Sequence, residues 1–123
     1  MKLFIDTNVF VSILNKERNY QASKDILDSI HKGKHTGITS AICIAEVLSG
    51  FYSKGEKEKG DRFLADVKLI ENLSIIDVDI GIAKEAAQIR AKYKLKLPDA
   101  IIIATCMAHG CSLVTKDEAL TKI

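Results

Sequence analysis

The chain has no tryptophan, a single proline, and only three tyrosines and four phenylalanines among its 123 residues. So few aromatics exclude a base-stacking platform of the kind that holds single-stranded nucleic acid, and Phe4, Phe10 and Phe63 fall in core-like patterns. One proline and seven glycines exclude a proline-rich linker or a glycine-periodic fibre. The three cysteines, Cys43, Cys106 and Cys111, are odd in number, lack CxxC spacing and sit among apolar residues. Free, reduced and mostly buried thiols are expected rather than a disulfide framework or a zinc site, and with them a cytoplasmic location. Eighteen basic residues against sixteen acidic ones leave a formal charge of +2, too small to indicate a partner. The N-terminus reaches Asp6 after three apolar residues, too soon for a signal peptide. No apolar run approaches the ~20 residues of a membrane span, so no membrane association is expected.

What is present is 47% apolar and 28% charged, the balance of a folded globular chain. The length fits one domain, residues 1–123, able to bury roughly two-thirds of its unfolded surface without a staple. Strand-length apolar runs occur at Leu3–Ile5, around Ile38, at Leu73–Val78 and at Ser112–Thr115. Helical periodicity lies between them: Ala22, Ile26, Leu27 and Ile30; a helix opened by Ser40 and running through Leu48; Gly60–Ile70; and Asp79–Tyr93. Pro98 starts a further helix that stops at Gly110, and its near-continuous apolar character places it deep in the domain. The stretch Lys54–Lys59 reads as a solvated loop or helix start. Alternating strands and helices predict an α/β fold with a mostly parallel sheet of four to five strands, covered by helices on both faces.

Four carboxylates have unexpectedly apolar neighbours. Asp6 follows the first strand, Glu46 lies inside Ile42–Leu48, Asp99 opens the buried helix, and Asp117 follows the last strand. Each also has a structural reading. Asp6 could cap a helix beginning at Thr7, Asp99 could favour a helix N-terminus, Asp117 could cap a short turn, and Glu46 could point outward or pair with a lysine. Taken together, carboxylates gathered at strand ends repel one another unless a cation neutralises them. An oxygen-only donor set favours Mg²⁺ or Mn²⁺ over Zn²⁺.

The ordered segments Phe4-Ile5-Asp6-Thr7-Asn8, Ile44-Ala45-Glu46-Val47, Leu97-Pro98-Asp99-Ala100-Ile101-Ile102-Ile103-Ala104 and Leu113-Val114-Thr115-Lys116-Asp117 resemble the PIN-domain nucleases. The resemblance is closest to the toxins of VapBC-type toxin–antitoxin pairs. It implies a three-layer α/β/α fold around a five-stranded parallel sheet and metal-dependent RNA cleavage. It also implies a homodimer held inactive by a cognate antitoxin. By position Asp6, Glu46, Asp99 and Asp117 match the family's acidic quartet, and Asn8 and Thr115 match polar residues lining the same site. The family commonly continues past the fourth acidic residue into a further short strand, whereas this chain stops at Ile123, so the final strand is expected to be absent or shortened.

The expected chemistry is hydrolysis of an RNA phosphodiester by water activated at Asp6 and Asp99, with Glu46 and Asp117 in support. Thr115 would orient water or substrate and Asn8 would steady a ligand. Lys92, Lys94 and Lys96, just before Asp99, and Lys116 beside Asp117 are candidates to grip the phosphate backbone. His31, His35 and His109 are read as non-catalytic. Two rival readings fit the same residues. A haloacid-dehalogenase-like phosphatase also begins with a strand ending in Asp, but places a second Asp where this chain has Asn8. A catalytically inactive PIN-like binding module would act only through a partner. The apolar residues around Phe51-Tyr52 and Phe63-Leu64 could serve a dimer or antitoxin surface, although core packing explains them as well.

Overall fold

The computed structural model describes residues 1–115. Its elements are β1 (Lys2–Ile5), α1 (Thr7–Leu14), α2 (Tyr20–His31), β2 (Thr36–Ser40), α3 (Ala41–Ser53), α4 (Lys57–Lys68), β3 (Leu73–Ile76), α5 (Ile80–Tyr93), α6 (Leu97–Ala108) and β4 (Ser112–Val114). Lys116, Asp117 and any fifth strand lie outside the described residues.

The four strands form one parallel sheet in the order β3-β2-β1-β4, with Phe4 opposite Ile38 on one side and Leu113 on the other. Side chains alternate across a strand, so β1 feeds two cores. Leu3 and Ile5 join Val9, Phe10, Ile30, Ile44 and Phe63 from α1 to α4. Phe4 points the other way, into a cluster with Ile38, Cys43, Ile102 and Cys106. Helices α5 and α6 bury Ile82, Ala86, Ile89 and Ala100 against each other on that second face. The result is the three-layer arrangement expected, with α1–α4 on one face and α5–α6 on the other. Every residue of α6 from Ala100 to Cys106 is buried, as its apolar sequence required.

Local signals set the boundaries. The Ser40 hydroxyl accepts from the Ile42 amide at 3.1 Å, and Asp79 accepts from the Ile82 amide at 2.9 Å, so each satisfies an orphan donor of the first turn. Helix α3 runs one turn past Leu48, to Ser53, because Phe51 still packs on the core. The lysine-rich stretch divides into a turn at Gly55 (φ 72°) and the first turn of α4, where Lys57–Asp61 and Glu56–Lys59 pair at the surface. Gly37 allows close approach of α2 to the sheet, since a Cβ there would lie 2.7 Å from Ile30 Cδ1 and 2.9 Å from Leu73 Cδ1.

Helix α6 ends in a Schellman motif. The Cys111 amide donates to the Cys106 carbonyl (3.0 Å) and the Gly110 amide to the Met107 carbonyl (3.2 Å), with Gly110 left-handed at φ 61°. Gly110→Ala should therefore cost about 1 kcal/mol, since an L side chain is strained in that conformation. A lowered urea midpoint with an unchanged m-value is the expected reading, and an unaltered midpoint would contradict it.

The cysteines are free, with Cys43 and Cys106 buried, in line with expectation. Burial, helped by the neighbouring Cys111, pushes the Cys106 thiol up to about 11. Among the described residues no helix is long and apolar enough to cross a membrane. The face around Phe51 and Phe63 proves to be largely core: Phe63 is buried, and Phe51 and Leu64 pack on the same cluster. Tyr52 is the exposed member, its hydroxyl donating to Asp61 at 2.6 Å.

Candidate active site

Asp6 occupies the last position before the chain turns from β1 into α1. Its amide donates to the Val114 carbonyl at 3.1 Å, extending the β1–β4 ladder by one bond. Its carboxylate is nearly buried, at 4% exposure, yet both oxygens are engaged. Oδ1 accepts from the Thr7 amide at 2.7 Å, which makes Asp6 the N-cap of α1. Oδ2 accepts from the Thr115 hydroxyl, just past β4. Thr115 Oγ1 in turn accepts from Asn8 Nδ2 at 3.1 Å. Capping and site formation therefore coincide: two adjacent parallel strands end side by side, and the residues just beyond them bond across the gap.

Glu46 reaches this edge from α3. It is exposed, as the outward-pointing alternative anticipated, but its partner is not a lysine: Thr7 Oγ1 donates to Glu46 Oε1 at 2.7 Å. Asp99 stands in the first turn of α6, half-buried. The direction of α6 follows from its contacts. Cys106 meets Cys111 at the amino end of β4, while Ile102 packs with Cys43, one turn into α3 and close to Asp6. Helix α6 thus runs from the carboxyl edge of the sheet toward the amino edge, and Asp99 opens it on the same edge as Asp6. Asp117 and Lys116 fall outside the described residues.

Thr115 and Asn8 were expected to orient water or ligand, and the geometry gives them a nearer task, holding the Asp6 carboxylate. Two contributors escaped the sequence reading. Thr7 joins Asp6 to Glu46, and its place between Asp6 and Asn8 in the N-terminal motif was the only available hint. Cys43 lies directly beneath, and burial pushes its thiol up; hydrogen bonding with Thr7 and Thr39 opposes that shift, and the Asp6 charge adds to it. A thiol kept neutral offers no thiolate to a soft metal.

The histidines stand apart from this chemistry. His31 Nδ1 accepts from the Glu71 amide at 2.9 Å, and His109 is the C-cap of α6. The donors at the edge are therefore carboxylate and hydroxyl oxygens, a set suited to a hard cation. Among the described residues no three His, Cys, Asp or Glu side chains come together closely enough to enclose an ion. Lys92, Lys94 and Lys96 are exposed at the α5–α6 connection, with Lys96 the N-cap residue of α6.

A parallel α/β domain with Asp6 at the carboxyl end of its first strand has the architecture in which ligands bind beyond the strand ends. The chain is a member of the PIN domain family, whose match extends over residues 3–123. Among solved structures it is similar to a toxin–antitoxin complex from Klebsiella pneumoniae, at 29% identity over 94% of this chain and 86% of that one, with TM-score 0.69. It also matches VapBC2 from Rickettsia felis bound to a DNA fragment from its promoter, at 24% identity over 100% and 93% of the two chains, TM-score 0.79. A third likeness is to VapC20 from Mycobacterium tuberculosis, a sarcin–ricin-loop-cleaving toxin, at 14% identity over 98% and 93%, TM-score 0.78. No curated protein sequence matches the chain.

Proposed function

We propose that this protein is a metal-dependent endoribonuclease and the toxin of a toxin–antitoxin pair. The observation that carries the reading is the bonded edge itself. Asp6 is held by Thr7 and Thr115, Glu46 is joined to it through Thr7, and the Asp99 helix opens on the same side, in a chain of the PIN family. Asp6 and Asp99, with Glu46 and Asp117 in support, would hold Mg²⁺ or Mn²⁺. Bound there, the ion supplies a lowered water pKa and compensation for charge building on the phosphate.

The chain's own residues do the positioning. Thr115 and Asn8 fix the Asp6 carboxylate, so that its orientation need not be selected when substrate arrives. Lys92, Lys94, Lys96 and Lys116 counter the repulsion between an acidic site and an RNA polyanion. The phosphatase alternative loses its second aspartate to Asn8, whose amide is committed to Thr115.

An antitoxin partner is supported by the Klebsiella relative, a toxin–antitoxin complex. A homodimer in the cytoplasm completes the proposal.

The deciding experiment incubates the purified protein with end-labelled RNA in Mg²⁺, in Mn²⁺ and in EDTA, beside a small aryl phosphate. Internal cleavage of RNA with either metal, lost in EDTA, is the expected result. An inert RNA would overturn the ribonuclease reading, and phosphate release from the aryl ester alone would favour a phosphatase. A steep fall in RNA affinity with salt is expected as well, because the lysines act through backbone charge.

A further inference from the structure

We infer that Thr7 is a positioning residue for the proposed cleavage, acting as a latch that holds Glu46 toward the strand-end site. The inference rests on the ribonuclease reading above. Glu46 is an exposed glutamate on the helix α3, with three rotatable side-chain bonds. Two surroundings are open to its carboxylate. One is the edge beside Asp6, where the Thr7 hydroxyl donates a charge-assisted bond of 2.7 Å. The other is a groove of about 230 Å³ between α1 and α3, lined by Glu46 itself with Val11, Asn15, Gly50 and Lys54. Lys54 would attract the carboxylate there, and Gly50 leaves room, since nothing lies within 4 Å of where its Cβ would stand.

The Thr7 hydroxyl is the group that decides between them. It is carried on the first residue of α1, whose amide is bonded to Asp6, so latch and capped carboxylate move as one unit. A residue in contact with Asp6 through its amide and with Glu46 through its hydroxyl fixes the relation between two acidic groups that are 40 residues apart in sequence. A small error in that relation is costly, because misplacement by about 1 Å can lower a rate by about 100-fold.

The test compares the parent with Thr7→Val, Thr7→Ser, Glu46→Gln and the Thr7→Val/Glu46→Gln double variant. Valine keeps the shape and the backbone bond to Asp6 and puts a methyl group in place of the hydroxyl that bonds Glu46 and Cys43. Expected for Thr7→Val is a fall in kcat of about 100-fold with KM little changed, unfolding like the parent's, and recovery of most of the rate in Thr7→Ser. The double variant should be no slower than Glu46→Gln, because glutamine can still accept from Thr7 but carries no charge for the latch to position. Calorimetric titration with Mn²⁺ supplies a readout independent of turnover: Thr7→Val should weaken binding as Glu46→Gln does, without adding to it. Parent-like cleavage by Thr7→Val, or losses that add in full, would overturn the latch. Should the parent cut no RNA, the ribonuclease reading fails by itself, and the Mn²⁺ titrations then decide the latch, non-additive losses supporting it and additive or absent ones refuting it.

Discussion

Asp6→Asn is expected to abolish RNA cleavage, by at least about 1,000-fold or ~4 kcal/mol of barrier, while leaving the fold in place. The separation of these two effects follows from the geometry. Asparagine caps helices about as well as aspartate, so the bond from the Thr7 amide to Oδ1 survives. The second atom becomes an amide nitrogen facing Thr115 Oγ1, and that hydroxyl can accept where it formerly donated. What is lost is the negative charge on a nearly buried oxygen, which is the property a divalent ion would require. Cleavage assays on the variant, with unfolding followed by circular dichroism, check both halves. Retained cleavage would refute the placement of the site at Asp6, and a collapsed fold would show that the carboxylate is needed first for structure. Asp6→Ala offers a contrast: with no capping oxygen it should lose about 1 kcal/mol of stability as well as activity.

The largest expected effect on stability is from Phe4→Ala. Phe4 is fully buried on the α5–α6 face of β1, against Ile38, Cys43, Ile102 and Cys106. Removing the ring forfeits its transfer free energy and leaves a cavity that a close-packed sheet cannot collapse into, a cost of about 3–5 kcal/mol. Domains of this size are stable by about 5–15 kcal/mol, so the variant would sit near the edge of folding. A melting temperature lower by roughly 10–20 °C is expected. A shift of only a few degrees would mean that the second-face core tolerates the void. Because Phe4 lies two residues before Asp6, the variant also tests whether the site needs a rigid strand: activity per folded molecule should fall further than the folded fraction alone predicts.

Much of the architecture was legible in the chain. The β-branched runs, the Ser40 cap, and the proline-in, glycine-out boundaries of α6 are local signals, and local signals survive into the folded state with small shifts at the ends. Helix α4 begins three residues before the expected Gly60 because charge pairs, which periodicity cannot register, support its first turn. Asp6 and Asp99 could be singled out because a carboxylate in apolar sequence is conspicuous wherever it lies. Thr7 could not, because a threonine after a strand is ordinary and its importance depends on what α3 brings opposite.

The four carboxylates show where the division falls. Sequence by itself determined the α/β class, the alternation of strands and helices and the family, and it put forward the acidic residues as candidates, since these depend on residue type and spacing along the chain. Only the tertiary structure decided that Thr115 and Asn8 serve Asp6, that Glu46 answers to Thr7 rather than to a lysine, and that Asp99 faces the same edge. Those relations join residues up to 109 positions apart, and they exist because parallel pairing of β1 with β4 brings two distant strand ends together, a geometry that no local preference encodes.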